Sequence, residues 1–337
     1  MNERYFITRQ GLSDLFHGLA GSGKRILAPV RSGERVTFQE VTAYDQVDND
    51  CIITTVSAKE ALLPRCEEIT RWEREGKDVR MVDERNPAVP TVVYGIRPCD
   101  ARALATLDAV YNWDYKDVFY QSKRDATAFI AVSCAKSDEF CFCTSTGGGP
   151  GDTAGSDILL TPMEGDTLLV EVLTEKGKAI IAENAALFTE TGPVEKEKYL
   201  ASVESKFSAD DIREKLQAAF DSELWADQAL RCLGCGACAF VCPACTCFDI
   251  QDEVRGSTGV RLRCWDACGL SHFTMHTSGH NPRESQGQRF RQRIMHKFSY
   301  EPKRLDVSGC VGCGRCSRAC PADMNILEHL MDIAGVK

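Results

Sequence analysis

Cys232-Leu233-Gly234-Cys235-Gly236-Ala237-Cys238-Ala239-Phe240-Val241-Cys242-Pro243 sets four thiols at Cys-x-x-Cys-x-x-Cys-x-x-x-Cys-Pro spacing. The spelling returns at Cys310-Val311-Gly312-Cys313-Gly314-Arg315-Cys316-Ser317-Arg318-Ala319-Cys320-Pro321. Thiolates spaced in this way hold a [4Fe–4S] cube. The first three grip one cube, and the fourth, turned away by its proline, ligates the other cube of a pair. The run therefore predicts one cube on Cys232, Cys235, Cys238 and Cys320, and a second on Cys310, Cys313, Cys316 and Cys242. Two cubes tied together by crossed ligands make a path for electrons. Gly234, Gly236, Gly312 and Gly314 would let backbone N–H groups approach the sulfurs, and such hydrogen bonds tune potential. Two structural zinc sites are the alternative, since zinc also takes four thiolates. Zinc sites usually pair two Cys-x-x-Cys hooks, with no third step and no Cys-Pro.

Outward from these runs, the chain has 337 residues, 18 cysteines, 43% hydrophobic and 26% charged residues, and a net charge of -9. That is long enough for two domains with sizeable cores. The acidic balance argues against nucleic acid, which needs a basic face. No secretory or twin-arginine signal and no membrane-length apolar run is seen, so the expected location is the cytoplasm, with no direct membrane span. In a reducing compartment the thiols read as metal ligands rather than disulfides.

Cysteine density divides the chain near Ser222. Residues 1–222 are expected to form an α/β domain, and residues 223–337 a mostly α-helical two-cluster ferredoxin domain, because Ala244 to Gly309 separates the tetrads widely. In the first domain, Arg25–Val30, Val36–Val41, Cys51–Val56, Thr91–Ile96 and Ala128–Ser133 read as strands. Asp100–Tyr111 reads as a helix with Asp100 as its N-cap. Leu159–Leu173 reads as two strands about Glu164-Gly165-Asp166, and Val194 to Phe220 as a polar helical stretch.

Cys99 and Cys134 each follow a predicted strand. If those strands are parallel neighbours, both thiols emerge at the carboxyl edge of the sheet, where α/β folds place ligands. Cys141-Phe142-Cys143 comes from the next loop. A third cube on Cys99, Cys134, Cys141 and Cys143 is thus expected, with Arg97 offsetting its charge and Gly147–Gly151 as a cover. Buried apolar thiols or zinc are the alternatives. Cys245, Cys247, Cys264 and Cys268 offer a fourth metal site, or core thiols around Trp265. Cys51 and Cys66 stand alone as structural residues. The basic run Arg289, Arg291, Arg293, His296, Lys297 reads as a solvated face, as charge compensation for anionic cubes, or as a docking surface.

The chain resembles the iron–sulfur β subunits of sulfhydrogenases and cytoplasmic nickel–iron hydrogenases, and the 4Fe-4S dicluster subunit of anaerobic sulfite reductase. The likeness covers nearly the whole chain. It rests on Arg97-Pro98-Cys99-Asp100, Cys141-Phe142-Cys143, Arg231 to Cys238, Cys242-Pro243-Ala244-Cys245-Thr246-Cys247-Phe248-Asp249, Trp265-Asp266-Ala267-Cys268, His280-Asn281-Pro282, Met295-His296-Lys297-Phe298 and the second tetrad. The resemblance implies an electron-transfer subunit of a hetero-oligomeric redox complex in anaerobic metabolism. It would relay electrons between a catalytic partner, of hydrogenase, sulfite reductase or heterodisulfide reductase type, and a flavin- and NAD(P)-binding subunit. The rivals are a catalytic thiol–disulfide reductase working at an unusual cluster and a zinc-stapled scaffold.

Overall fold

The computed structural model describes residues 3–82 and 87–335. Among these, eight strands form one sheet in the order Thr189–Glu190, Arg4–Thr8, Thr167–Val172, Ile158–Pro162, Thr127–Val132, Thr91–Ile96, Arg25–Ser32, Arg35–Val41. The middle four, Ile158–Pro162 through Arg25–Ser32, run parallel, and the outer ones pair antiparallel. Parallel strands need both faces covered, and Thr91–Ile96 is buried at every position. Val92 and Tyr94 pack beneath Leu12, Phe16 and Leu19 of the helix Arg9–Gly21. Val93 and Ile96 face Leu104 and Leu107 of the helix Pro98–Tyr111. Strict alternation would put Ile96 with Tyr94. The register shifts between Tyr94 and Ile96, where Gly95 has φ +76°, and this bulge turns the strand end over. The bulge thus sets the direction in which the chain enters Arg97-Pro98-Cys99.

Several sequence expectations change. Cys51–Val56 forms no strand. The Asp48 carboxylate accepts from the N–H groups of Asp50 and Cys51, which turns the chain, and Arg97 and Arg315 take the Cys51 and Thr54 carbonyls. The helix after Thr91–Ile96 is capped by Arg97 with Pro98 in its first turn, which leaves the Asp100 carboxylate free for another partner. Of Val194 to Phe220, the helix proper is Ala209–Ala218. The basic run forms the helix Gln286–Met295, continued by a π turn at His296–Tyr300.

The C-terminal third is helical only in short pieces. Its linker carries an antiparallel hairpin, Phe248–Arg255 and Thr258–Trp265, which pairs with Cys66–Glu75 and Asp78–Val82 in a four-stranded sheet. Strand pairing therefore crosses residue 222. The hairpin was hidden because its Phe248–Arg255 strand is exposed throughout and shows no alternation between buried and exposed residues. No helix among the described residues is long and apolar enough to cross a membrane.

Candidate iron–sulfur relay site

The first tetrad curls around a cavity lined by Cys232, Cys235, Cys238, Cys320 and Cys316. Cys320 and Cys316 both come from the other tetrad. Gly234 and Gly236 both have positive φ and turn the loop about the thiols. Gln286 donates from Nε2 to the Cys232 sulfur at 3.1 Å. Arg293 also lines this cavity. Among the described residues, its Nε and Nη2 have no hydrogen-bond partner. A buried guanidinium without a partner is costly, and an anionic sulfide-bearing cluster is the kind of group that would answer it.

Cys310 and Cys313 of the second tetrad are buried, and Cys242 reaches them from the first. Burial pushes the Cys310 thiol up to about 12. Lys297 is also buried. It donates from Nζ to the Cys242 sulfur at 3.3 Å and to the Gly309 carbonyl at 2.8 Å. Arg293 and Lys297 thus turn toward sulfur, whereas Arg291 is half-buried and stacks on Phe220. In the basic run, these two residues fit charge compensation rather than a solvated face.

The N-terminal thiols meet the second tetrad directly. The strands Thr91–Ile96 and Thr127–Val132 are parallel neighbours, so Cys99 and Cys134 leave the same sheet edge. Cys134 interacts electrostatically with Cys99, Cys141 and Cys143, and burial pushes the Cys134 and Cys143 thiols each up to about 11. Thiols this reluctant to ionise release their protons when a metal takes their place. The glycine loop folds over them: Cys134 N–H donates to the Pro150 carbonyl at 2.9 Å, and Gly148 N–H to that of Cys143 at 3.0 Å. Phe142 N–H donates to the Gly312 carbonyl at 2.9 Å. Gly312 has φ +63°, and a Cβ there would overlap the Phe142 carbonyl. Arg318 forks onto Asp138 and approaches the Cys141 sulfur at 3.6 Å. Arg315 is fully buried and forks onto Asp100.

The fourth set changes membership. Cys264 is joined to Cys66 as a disulfide across neighbouring strands, so Cys66 does not stand alone and neither sulfur is available as a thiolate. This also corrects the expectation that thiols here read as metal ligands rather than disulfides. Cys245, Cys247 and Cys268 remain free, and Cys51 is a buried free thiol. His272, His276 and His280 are exposed at a turn, where the His276 and His280 rings meet edge to face.

Sequence reasoning missed the cations that bind these sets together. Arg315 and Arg318 lie inside the second tetrad and Asp138 just before Cys141, so the spacing carried a signal. Lys59 carried none, since its neighbours come from residues about 180 positions away.

A family model described as a 4Fe-4S dicluster domain matches residues 231–324, which span both tetrads. The chain is similar to the sulfhydrogenase 2 β subunit of Pyrococcus furiosus, with 30% identity over 92% of each chain. At that identity and coverage, with the dicluster domain in place, this chain belongs to the iron–sulfur β-subunit family of the sulfhydrogenases.

Proposed function

We propose that the chain relays electrons through a row of three [4Fe–4S] cubes. The first would be held by Cys232, Cys235, Cys238 and Cys320. The second would be held by Cys310, Cys313, Cys316 and Cys242, and the third by Cys99, Cys134, Cys141 and Cys143. The supporting observation is the continuity of the thiol sets. Cys316 borders the first cavity, Cys242 reaches from the first tetrad to the second, and Cys313 packs in one cluster with Cys99. The cubes would supply one-electron storage; the protein supplies spacing, burial, hydrogen bonds to sulfur and compensating cations.

On this reading the row sits within a cytoplasmic hetero-oligomer. A catalytic redox partner faces one end, and the other end meets a flavin- and NAD(P)-binding subunit. The relative's printed name, which makes it part of a sulfhydrogenase, supports such an assembly. Potentials of such clusters span roughly -700 to +450 mV, so the direction of flow follows from the partners' potentials.

The test is electron paramagnetic resonance of the reduced, anaerobically purified chain. Neighbouring reduced cubes should broaden each other's signals. Cys235→Ser should remove one cube and its coupling to the second cube while the N-terminal sheet stays folded. Undiminished coupling in this variant would refute the ligand assignment.

A further inference from the structure

Beyond the three sets, Cys245, Cys247 and Cys268 meet at the base of the hairpin. Its register pairs Phe248 with Trp265, so the residues just outside it, Cys247 and Asp266, are also brought together, and Asp266 N–H donates to the Cys247 carbonyl at 3.0 Å. The Cys247 sulfur interacts with that of Cys268, and the Cys245 sulfur with that of Cys242. The surroundings are apolar, with Ala244 and Ala267 almost fully buried.

Three buried cations face these sulfurs. Lys59 is 6% exposed, Lys297 4% and Arg293 9%. Lys59 comes from the N-terminal half, lies over the Trp265 ring at 4.2 Å, and donates to the carbonyls of Ala239 and Cys245. Its charge acts on Cys245, Cys242 and Cys247; that of Arg293 acts on Cys245 and Cys268 as well as Cys238 and Cys316. Glu301, whose carboxyl acts on Lys297, is itself buried, and burial pushes it up to about 7. Three buried cations gathered around one group of sulfurs call for anionic partners, because folded proteins avoid buried charge left uncompensated. Thiolates carrying an iron–sulfur core are net anionic and would balance it.

We propose that Cys245, Cys247 and Cys268 hold a further iron–sulfur cluster beside the second tetrad, its remaining iron taking a non-cysteine ligand, with Lys59 as its dedicated counter-charge. The Cys66–Cys264 disulfide takes no part in ligation and pins the base of the hairpin. Cys242 stays with the second tetrad, and its contact with Cys245 makes this cluster a branch of the row. The inference rests on the relay reading for the identity of the metal.

The experiment is iron and acid-labile sulfide per chain in anaerobically purified full-length protein, compared among four forms. A Cys245→Ala/Cys247→Ala/Cys268→Ala variant should lose about 4 irons and as many sulfides relative to wild type, counting four per cube. Cys66→Ser/Cys264→Ser should lose none. Lys59→Met should keep the second-tetrad signals and lower the occupancy of the branch cluster. If the triple variant does not accumulate, Cys268→Ala alone provides the same comparison. Unchanged iron in the thiol variants, or an equal loss in the Cys66/Cys264 variant, overturns the inference and leaves the two tetrads standing. A wild-type chain without iron or sulfide overturns both.

Discussion

Arg315 and Asp100 face each other as a buried, forked ion pair between residues 215 positions apart. Arg315 lies inside the second tetrad and Asp100 follows Cys99, so the pair clamps one thiol set onto the next. Arg315 also donates to the Thr54 carbonyl at 2.8 Å and to its hydroxyl at 2.9 Å, which fills the planar guanidinium edge. Removing the carboxylate strands a buried cation. Asp100→Ala should cost about 3–5 kcal/mol, read as a lower midpoint in anaerobic chemical unfolding. Arg315→Lys should not restore the loss, since an ammonium lacks the fork. A loss below about 1 kcal/mol would sink this account of the clamp.

Gly312 sets how closely the Cys141–Cys143 loop lies on the second tetrad. An alanine would need a left-handed backbone, costing about 1–2 kcal/mol, and its methyl would overlap the Phe142 carbonyl. Gly312→Ala should therefore release the N-terminal cube and spare the one on Cys232, Cys235, Cys238 and Cys320. Iron analysis would read a loss of about 4 irons. Full iron content in a folded variant would contradict the close approach.

Lys297 holds a positive charge against the Cys242 sulfur. Reduction adds negative charge to a cube, so removing the cation disfavours it. Lys297→Met should move the potential of the second cube more negative by on the order of 100 mV, from unit charges about 6 Å apart at an effective dielectric of about 20. A redox titration followed by electron paramagnetic resonance measures this. A positive shift would show that burial rather than charge dominates there.

The cystine between Cys66 and Cys264 closes a separation of 198 residues. Its replacement by two serines should lower stability by about 2–4 kcal/mol with iron content unchanged. Peptide mapping without reductant should recover the linked pair from wild type. Two free thiols in freshly isolated, alkylated protein would remove the basis for this prediction.

These tests bear on how much was visible beforehand. The two tetrads were legible because ligand spacing within a loop is local and chemically narrow. The parallel strands ahead of Cys99 and Cys134 were legible for a similar reason, since apolar runs buried on both faces announce themselves. The hairpin Phe248–Arg255 with Thr258–Trp265 was not. Its polar, exposed strand carries no period, and it is held by pairing with Cys66–Glu75, far away in the chain. The same distance hid the Cys66–Cys264 pair, the Arg315–Asp100 clamp and the approach of Lys59. Cys51–Val56 misled because β-branched residues suggested a strand, while Asp48, Arg97 and Arg315 claim its polar groups.

The most direct measurement is iron, acid-labile sulfide and zinc per chain after anaerobic purification. The relay account predicts about 12 irons with matching sulfide for the three sets, counting four per cube, and about 16 with the branch cluster if that cluster is a complete cube. About 8 would confine the row to the two tetrads. Zinc in place of iron, with no sulfide, would contradict electron transfer by this chain.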